Sequence, residues 1–124
     1  LGDARRDLLP RLQPILDHAE LAHLQAQVPK VRASDALVDY VLRLVEATRS
    51  QPQFAWGLSP RASLALLAAA RAWALLAERD YVIPEDVQAV LPSVVGHRLR
   101  ERADPAGHGG GSLVQWLLRE VPAL

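Results

Sequence analysis

An arginine stands where a helix should begin. In the run Gly57-Leu58-Ser59-Pro60-Arg61-Ala62, Ser59 suits an N-cap and Pro60 suits the first helical turn. Arg61 then falls among backbone N–H groups that have no partner inside the helix, at the positive end of its dipole. A cation there costs roughly 0.3–1 kcal/mol when exposed. A guanidinium and free amides at one helix end also make a ready-made anion site, for which phosphate is the commonest ligand. Residue types alone leave two other outcomes open: a solvated surface arginine, or a pair with a nearby carboxylate.

Other reactive side chains form weaker patterns. His18, His23, His97 and His108 are scattered, and the first two, five positions apart, have the wrong spacing for two metal ligands on one helical face. His97 and Arg98 are read as satisfying carbonyls at a helix end. Arg71 interrupts an apolar helix; it is either a buried partner for Glu46 or Asp86, or exposed at a seam with another domain. Glu85 and Asp86 are read as helix-start acids. The stretch GHGGGS lacks a lysine and a preceding strand, so it reads as linker. Nothing resembles a Ser-His-Asp set, and the absence of cysteine excludes disulfides, zinc ribbons and thiol catalysis.

The elements that must position these groups follow from periodicity. Asp17 and Glu20 form a capping box at the start of DHAELAHLQAQV. Ser34 caps SDALVDYVLRLVEATR, in which Leu37, Val38, Val41, Leu42, Leu44, Val45 and Thr48 form an apolar stripe, and Arg49 closes the helix. Pro52 and Gly57 mark a loop or short extended hairpin, with Phe54 and Trp56 as its anchors. The helix that opens at Pro60 runs to about Arg79, is apolar on most faces, and should be the central helix that others wrap. Pro84 begins another, with Glu85 and Asp86 in its first turn, and Pro92 ends it or begins the next. SVVGHRLRER gives a further helical turn or two. ADPAGHGGGS is a flexible loop by composition. SLVQWLLREVPAL is a last amphipathic helix, with Leu113, Val114, Leu117, Leu118 and Val121 on one face.

Composition sets bounds on this reading. The 124 residues make one domain and can bury a core; half are apolar and few are aromatic, which favours a helical globule. Basic and acidic residues number 14 each, which argues against nucleic acid held by bulk charge. The apolar stretches are too short for membrane insertion and the start lacks a signal core. The chain begins with leucine and reads as a fragment of something longer.

The ordered pieces Gly57 to Ala62, Arg79 to Val82, Pro84 to Val87 and His97 to Leu99 resemble the C-terminal lid of the MoxR family of AAA+ ATPases, over about residues 28–100. The resemblance implies that Arg61 is the sensor 2 residue, reaching the terminal phosphates of ATP, with Ser59 and Pro60 at the helix start beside it. Glu78 departs from the glycine usual before Arg-Asp-Tyr, which bears on the turn geometry. Ile83 replaces a capping serine or threonine, which should slightly weaken the next helix start. The resemblance further implies an upstream ATPase core in the same protein, which would supply the magnesium ligands. It also implies neighbouring subunits in a ring, usually a hexamer, von Willebrand factor A domain partners, and chaperone-like remodelling in the cytoplasm. The chain lacks a Gly-x-x-x-x-Gly-Lys-Ser/Thr loop and a strand ending in Asp-Glu, so it should not hydrolyse ATP alone.

The expected fold is therefore all-α: a small bundle of about four to six helices with a short extended loop or hairpin before the central one. The expected organisation is a single lid domain, 1–124, with an N-terminal helical segment 1–27, a lid core 28–100, a flexible loop 101–112 and a C-terminal helix 113–124. The alternative function is a free-standing helical protein-interaction module; YVIPEDVQAVL also resembles histone-like helical pairs.

Overall fold

The computed structural model of the chain describes residues 11–52, 54–96, 100–101 and 110–123. His97, Arg98 and His108 lie outside them, as do residues 1–10 and most of the expected loop. Five α-helices are present among the described residues: α1 His18–Gln27, α2 Asp35–Ser50, α3 Pro60–Leu76, α4 Pro84–Val95 and α5 Gly110–Glu120. A 3-10 turn, Val28–Lys30, follows α1. Two short strands, β1 Phe54–Trp56 and β2 Arg100–Glu101, complete an all-α bundle. No helix among the described residues is long and apolar enough to cross a membrane.

The caps fall where the sequence puts them, for physical reasons. Glu20 N–H donates to Asp17 Oδ1 at 2.7 Å, and the Glu20 carboxylate accepts from Asp17 N–H at 3.4 Å. Ser34 Oγ accepts from Leu37 N–H at 3.1 Å. In α2 the buried side chains are Leu37, Tyr40, Val41, Leu44, Val45 and Thr48. Leu42, expected on the apolar stripe, is exposed, because it lies about 140° around the helix from Leu37. Tyr40 lies on the other flank and is wholly buried; its hydroxyl accepts from Gln88 Nε2 of α4 at 3.3 Å.

The extended segment before α3 is present, but its partner is remote. β1 pairs antiparallel with β2, Phe54 opposite Glu101 and Trp56 opposite Arg100, with an irregularity between. Arg100 and Glu101, read as helical from the sequence, are therefore extended. Pro92 neither ends nor begins a helix: α4 passes through it to Val95. One backbone bond is forgone at the proline, while Leu91 and Val95 on either side are fully buried. α5 begins at Gly110, inside the stretch read as loop. It sets Leu113, Val114 and Leu117 into the core.

α3 is not wrapped on all sides. Its buried line is Ala62, Leu66, Ala70 and Ala74, spaced by four, and these small side chains let α2 and α4 approach closely. The opposite face is open. Its last turn stops at Leu76, short of the expected Arg79, in a left-handed cap: Glu78 has φ 62°. Glu78 N–H donates to Leu75 O and Arg79 N–H to Ala74 O, both at 2.9 Å. These two reversed bonds are the Schellman pattern, which favours glycine at the left-handed position. The family's glycine before Arg-Asp-Tyr is thus explained by the backbone that Glu78 is made to adopt.

Candidate phosphate-facing helix tip

The tip of α3 is built on the last turn of α2. Thr48 is buried; its hydroxyl donates to Val45 O at 2.6 Å, and its oxygen accepts from Leu58 N–H at 2.9 Å. Gly57 lies so close to this turn that a Cβ would sit 2.7 Å from Thr48 O and from Arg49 Cγ. Only glycine fits that approach. With Leu58 buried, the chain is fixed at the residue before the N-cap.

Ser59, Pro60 and Arg61 are all exposed. Ser59 occupies the N-cap with extended dihedrals (φ −72°, ψ 159°), yet its side chain makes no cap hydrogen bond. Pro60 is the first helical residue and brings no N–H. Ala62 N–H is taken by Ser59 O at 2.9 Å, and Ser63 Oγ donates to Pro60 O. Arg61 therefore supplies the first-turn amide left without a partner among the described residues. Its guanidinium has no ion pair there either, and the first turn carries no acid. Of the alternatives left open by the sequence, the carboxylate pair is not formed among the described residues.

Arg61 heads a row. At about 100° per residue, Leu64, Ala65, Ala68, Ala72 and Leu76 share its face of α3. Leu64 and Leu76 are 68% and 74% exposed, and Ala65 and Ala68 are exposed as well. The row ends against Leu16, Leu21 and Leu24, at and beside α1, with which Ala72, Leu75 and Leu76 line an apolar groove of about 640 Å³. A cation at one end of a solvent-facing apolar strip is a shape suited to docking on another protein surface.

The other charged residues sort differently from the sequence reading. Asp86 pairs with Arg79, not Arg71: Arg79 Nη1 donates to Oδ2 at 2.7 Å and Nη2 to Oδ1. Asp86 is 1% exposed and also accepts from Ile83 N–H at 2.8 Å. It thus caps α4 from inside the first turn, replacing the side-chain cap that Ile83 cannot provide. Burial pushes the Asp86 carboxyl up, but the hydrogen bonds from Arg79 and Ile83 outweigh it and hold the carboxyl below its usual range. The same hydrogen bond raises Arg79 above its ordinary value. Arg79 also donates to Tyr81 O at 3.1 Å, so one guanidinium ties the α3–α4 turn together. Arg71 pairs with neither Glu46 nor Asp86; its buried Nε has no hydrogen-bond partner among the described residues. No group of three metal-ligating side chains occurs among them.

A family model described as the AAA lid domain matches residues 46–115. The chain is 46% identical over 99 residues to Chaperone MoxR1 of Mycobacterium tuberculosis, covering 73% of this chain and 26% of that protein. It is 38% identical over 110 residues to the uncharacterized protein YeaC of Bacillus subtilis, covering 89% of this chain and 34% of the other. Protein MoxR of Paracoccus denitrificans is 39% identical over 101 residues, covering 70% of this chain and 30% of that one. A crystal structure of a candidate ATPase from Cytophaga hutchinsonii superposes with a TM-score of 0.77 at 28% identity, over 89% of this chain and 37% of that one. The chain thus spans about a third or less of the curated relatives it matches.

Proposed function

Because this chain belongs to the AAA lid domain family, as the C-terminal lid of a MoxR-family AAA+ ATPase, we propose that it is a sensor 2 lid that reads the nucleotide held by an ATPase core in the same protein. The observation that carries this reading is the α3 tip: Arg61 is exposed, has no ion pair among the described residues, and heads an open apolar row. A rigid seat on α2 holds its backbone. The donor set fits a phosphate group, since a guanidinium and one free amide meet where no acid intervenes.

Bound at the seam, ATP and its magnesium would supply the transferable phosphoryl group and the metal charge. This chain's residues would bind and orient. Arg61 offers charge-assisted hydrogen bonds to terminal phosphate oxygens, while the Leu64–Leu76 row packs on the core. The magnesium ligands and the water-polarising residue lie outside this chain. Loss of the terminal phosphate removes Arg61's partner, so the lid's docked position depends on nucleotide state. In a cytoplasmic ring, a hexamer on this reading, that change would drive chaperone-like remodelling of client proteins alongside von Willebrand factor A domain partners.

Arg61→Ala in the full-length protein tests the reading. ATP turnover or its nucleotide response should fall by roughly tenfold or more, as when one charge-stabilising donor is removed, while the helical content of the lid stays unchanged. Unaltered ATPase kinetics would exclude the sensor 2 role.

A further inference from the structure

We propose that a second anion site, separate from the α3 tip, lies between the 3-10 turn, the following loop and the middle of α3, and that it takes a phosphate-bearing small molecule. The site is an open cleft of about 620 Å³ whose walls include Lys30, Arg32, Ser34, Arg71 and Tyr81. Among the described residues three cations line it and no acidic side chain does. Asp80 stands beside it and lies 3.6 Å from Arg32, but both side chains are mostly exposed, so that pair neutralises little.

Arg71 is the central observation. Arg71 lines the cleft and makes no ion pair among the described residues; its Nε is buried beneath, without a hydrogen-bond partner there. Asp86, one of the two carboxylates that the sequence offers as its partner, is already occupied by Arg79. Among the described residues Arg71 is thus a cation without a counter-charge on the wall of a basic cleft. The frame is stiff. Arg32 N–H donates to Asp80 O and Val82 N–H to Arg32 O, each at 2.9 Å, and Val31 and Val82 are buried beneath. Ser34 Oγ accepts from Leu37 N–H, which leaves its hydroxyl proton to donate into the cleft.

Charge counting selects the ligand. A single carboxylate satisfies one guanidinium fork; three cations and a hydroxyl suit a polyvalent oxyanion. The volume suits a molecule larger than inorganic phosphate. Arg71 lies ten residues beyond Arg61, about 15 Å along the axis and about 80° around it, so the same phosphate cannot serve both.

Pyrophosphate is the probe, titrated into this chain while backbone amide resonances are followed by NMR. Saturable shifts are expected at Lys30 to Ser34, Arg71, Tyr81 and Val82. Arg71→Gln should weaken binding at least tenfold and Lys30→Gln several-fold, whereas Arg119→Gln on α5 should not change it. If Arg71→Gln unfolds the chain, Lys30→Gln and Arg32→Gln decide, and full affinity in both overturns the proposal. So does the lack of saturable shifts, or their confinement to the α3 tip. Tighter binding of a glutamate-rich peptide than of pyrophosphate would overturn it too, by making the cleft a seat for protein carboxylates.

Discussion

Three arginines on one helix and its following turn meet three electrostatic fates. Arg61 faces solvent at a positive helix end, Arg71 lines a basic cleft, and Arg79 is committed to Asp86. The Arg79–Asp86 pair makes a pH prediction. The Asp86 carboxyl lies below its usual value near 4 in the folded chain. Its contribution is therefore complete above about pH 4 and fades as acid drives the pH down through the lowered folded value. Asp86→Asn should cost about 2 kcal/mol at neutral pH, the scale of hydrogen bonds to a charged group. It should also flatten the acid limb of stability, measured by urea melts between about pH 2 and pH 7. An unaltered acid limb would show that another carboxylate carries it. The pairing was not legible in the sequence. The two residues lie on either side of a turn, where helical spacing gives no register, so the sequence offers Arg71 for Asp86, whereas the left-handed Glu78 turn sets Arg79 against it.

At the scale of elements, that left-handed residue is the weak point of the α3–α4 connection. An L-residue there pays about 1–2 kcal/mol relative to right-handed backbone. The Glu78 side chain is exposed, so little opposes its removal. Glu78→Gly should raise stability by about 1 kcal/mol after the greater unfolded-state freedom of glycine is subtracted. That is a rise of a few degrees in thermal midpoint, and Glu78→Ala should give no such gain. Scanning calorimetry of the two variants checks it. Element types and caps were legible because their signals are local: Asp17 with Glu20, Ser34 before an apolar stripe, proline at two helix starts. Ends and pairings were not. Pro92 reads as a stop, yet burial of Leu91 and Val95 carries α4 through it. β2 is two residues long, too short for an alternation to register.

For the whole molecule, the open face of α3 changes the meaning of its composition. The sequence shows a helix apolar on most sides, which implies full burial. The structure buries only its alanine-rich side and leaves Leu64, Leu76 and Trp73 largely in solvent. That surplus was invisible in the sequence because periodicity measures apolarity, not whether a partner element covers it. On the proposed reading an ATPase core covers the surplus. Paired Leu64→Gln and Leu76→Gln substitutions should leave the melting of this chain within about 0.5 kcal/mol of the parent, as surface changes do. In the full-length protein they should weaken ATP affinity several-fold. Equal ATP affinity, measured by fluorescent-nucleotide titration, would remove this face from the docking surface. On α2, Arg43 donates to Pro122 O and Ala123 O and pairs with Asp39, so the segment after α5 is secured to α2.

The strand leading into α3 finds its partner at Arg100–Glu101, and Phe54 meets Trp116 edge-to-face at 5.7 Å. Synthesis on the ribosome proceeds from the N-terminus, so α2, α3 and α4 emerge before either of these contacts exists. Thr48 and Gly57 can seat the tip early, but the Phe54–Trp116 contact on its approach closes only after α5 has been made. A chain translated only as far as α4 therefore holds Arg61 by the Thr48–Gly57 seat alone, and on the proposed reading the nucleotide-facing tip gains its remaining support once α5 has emerged.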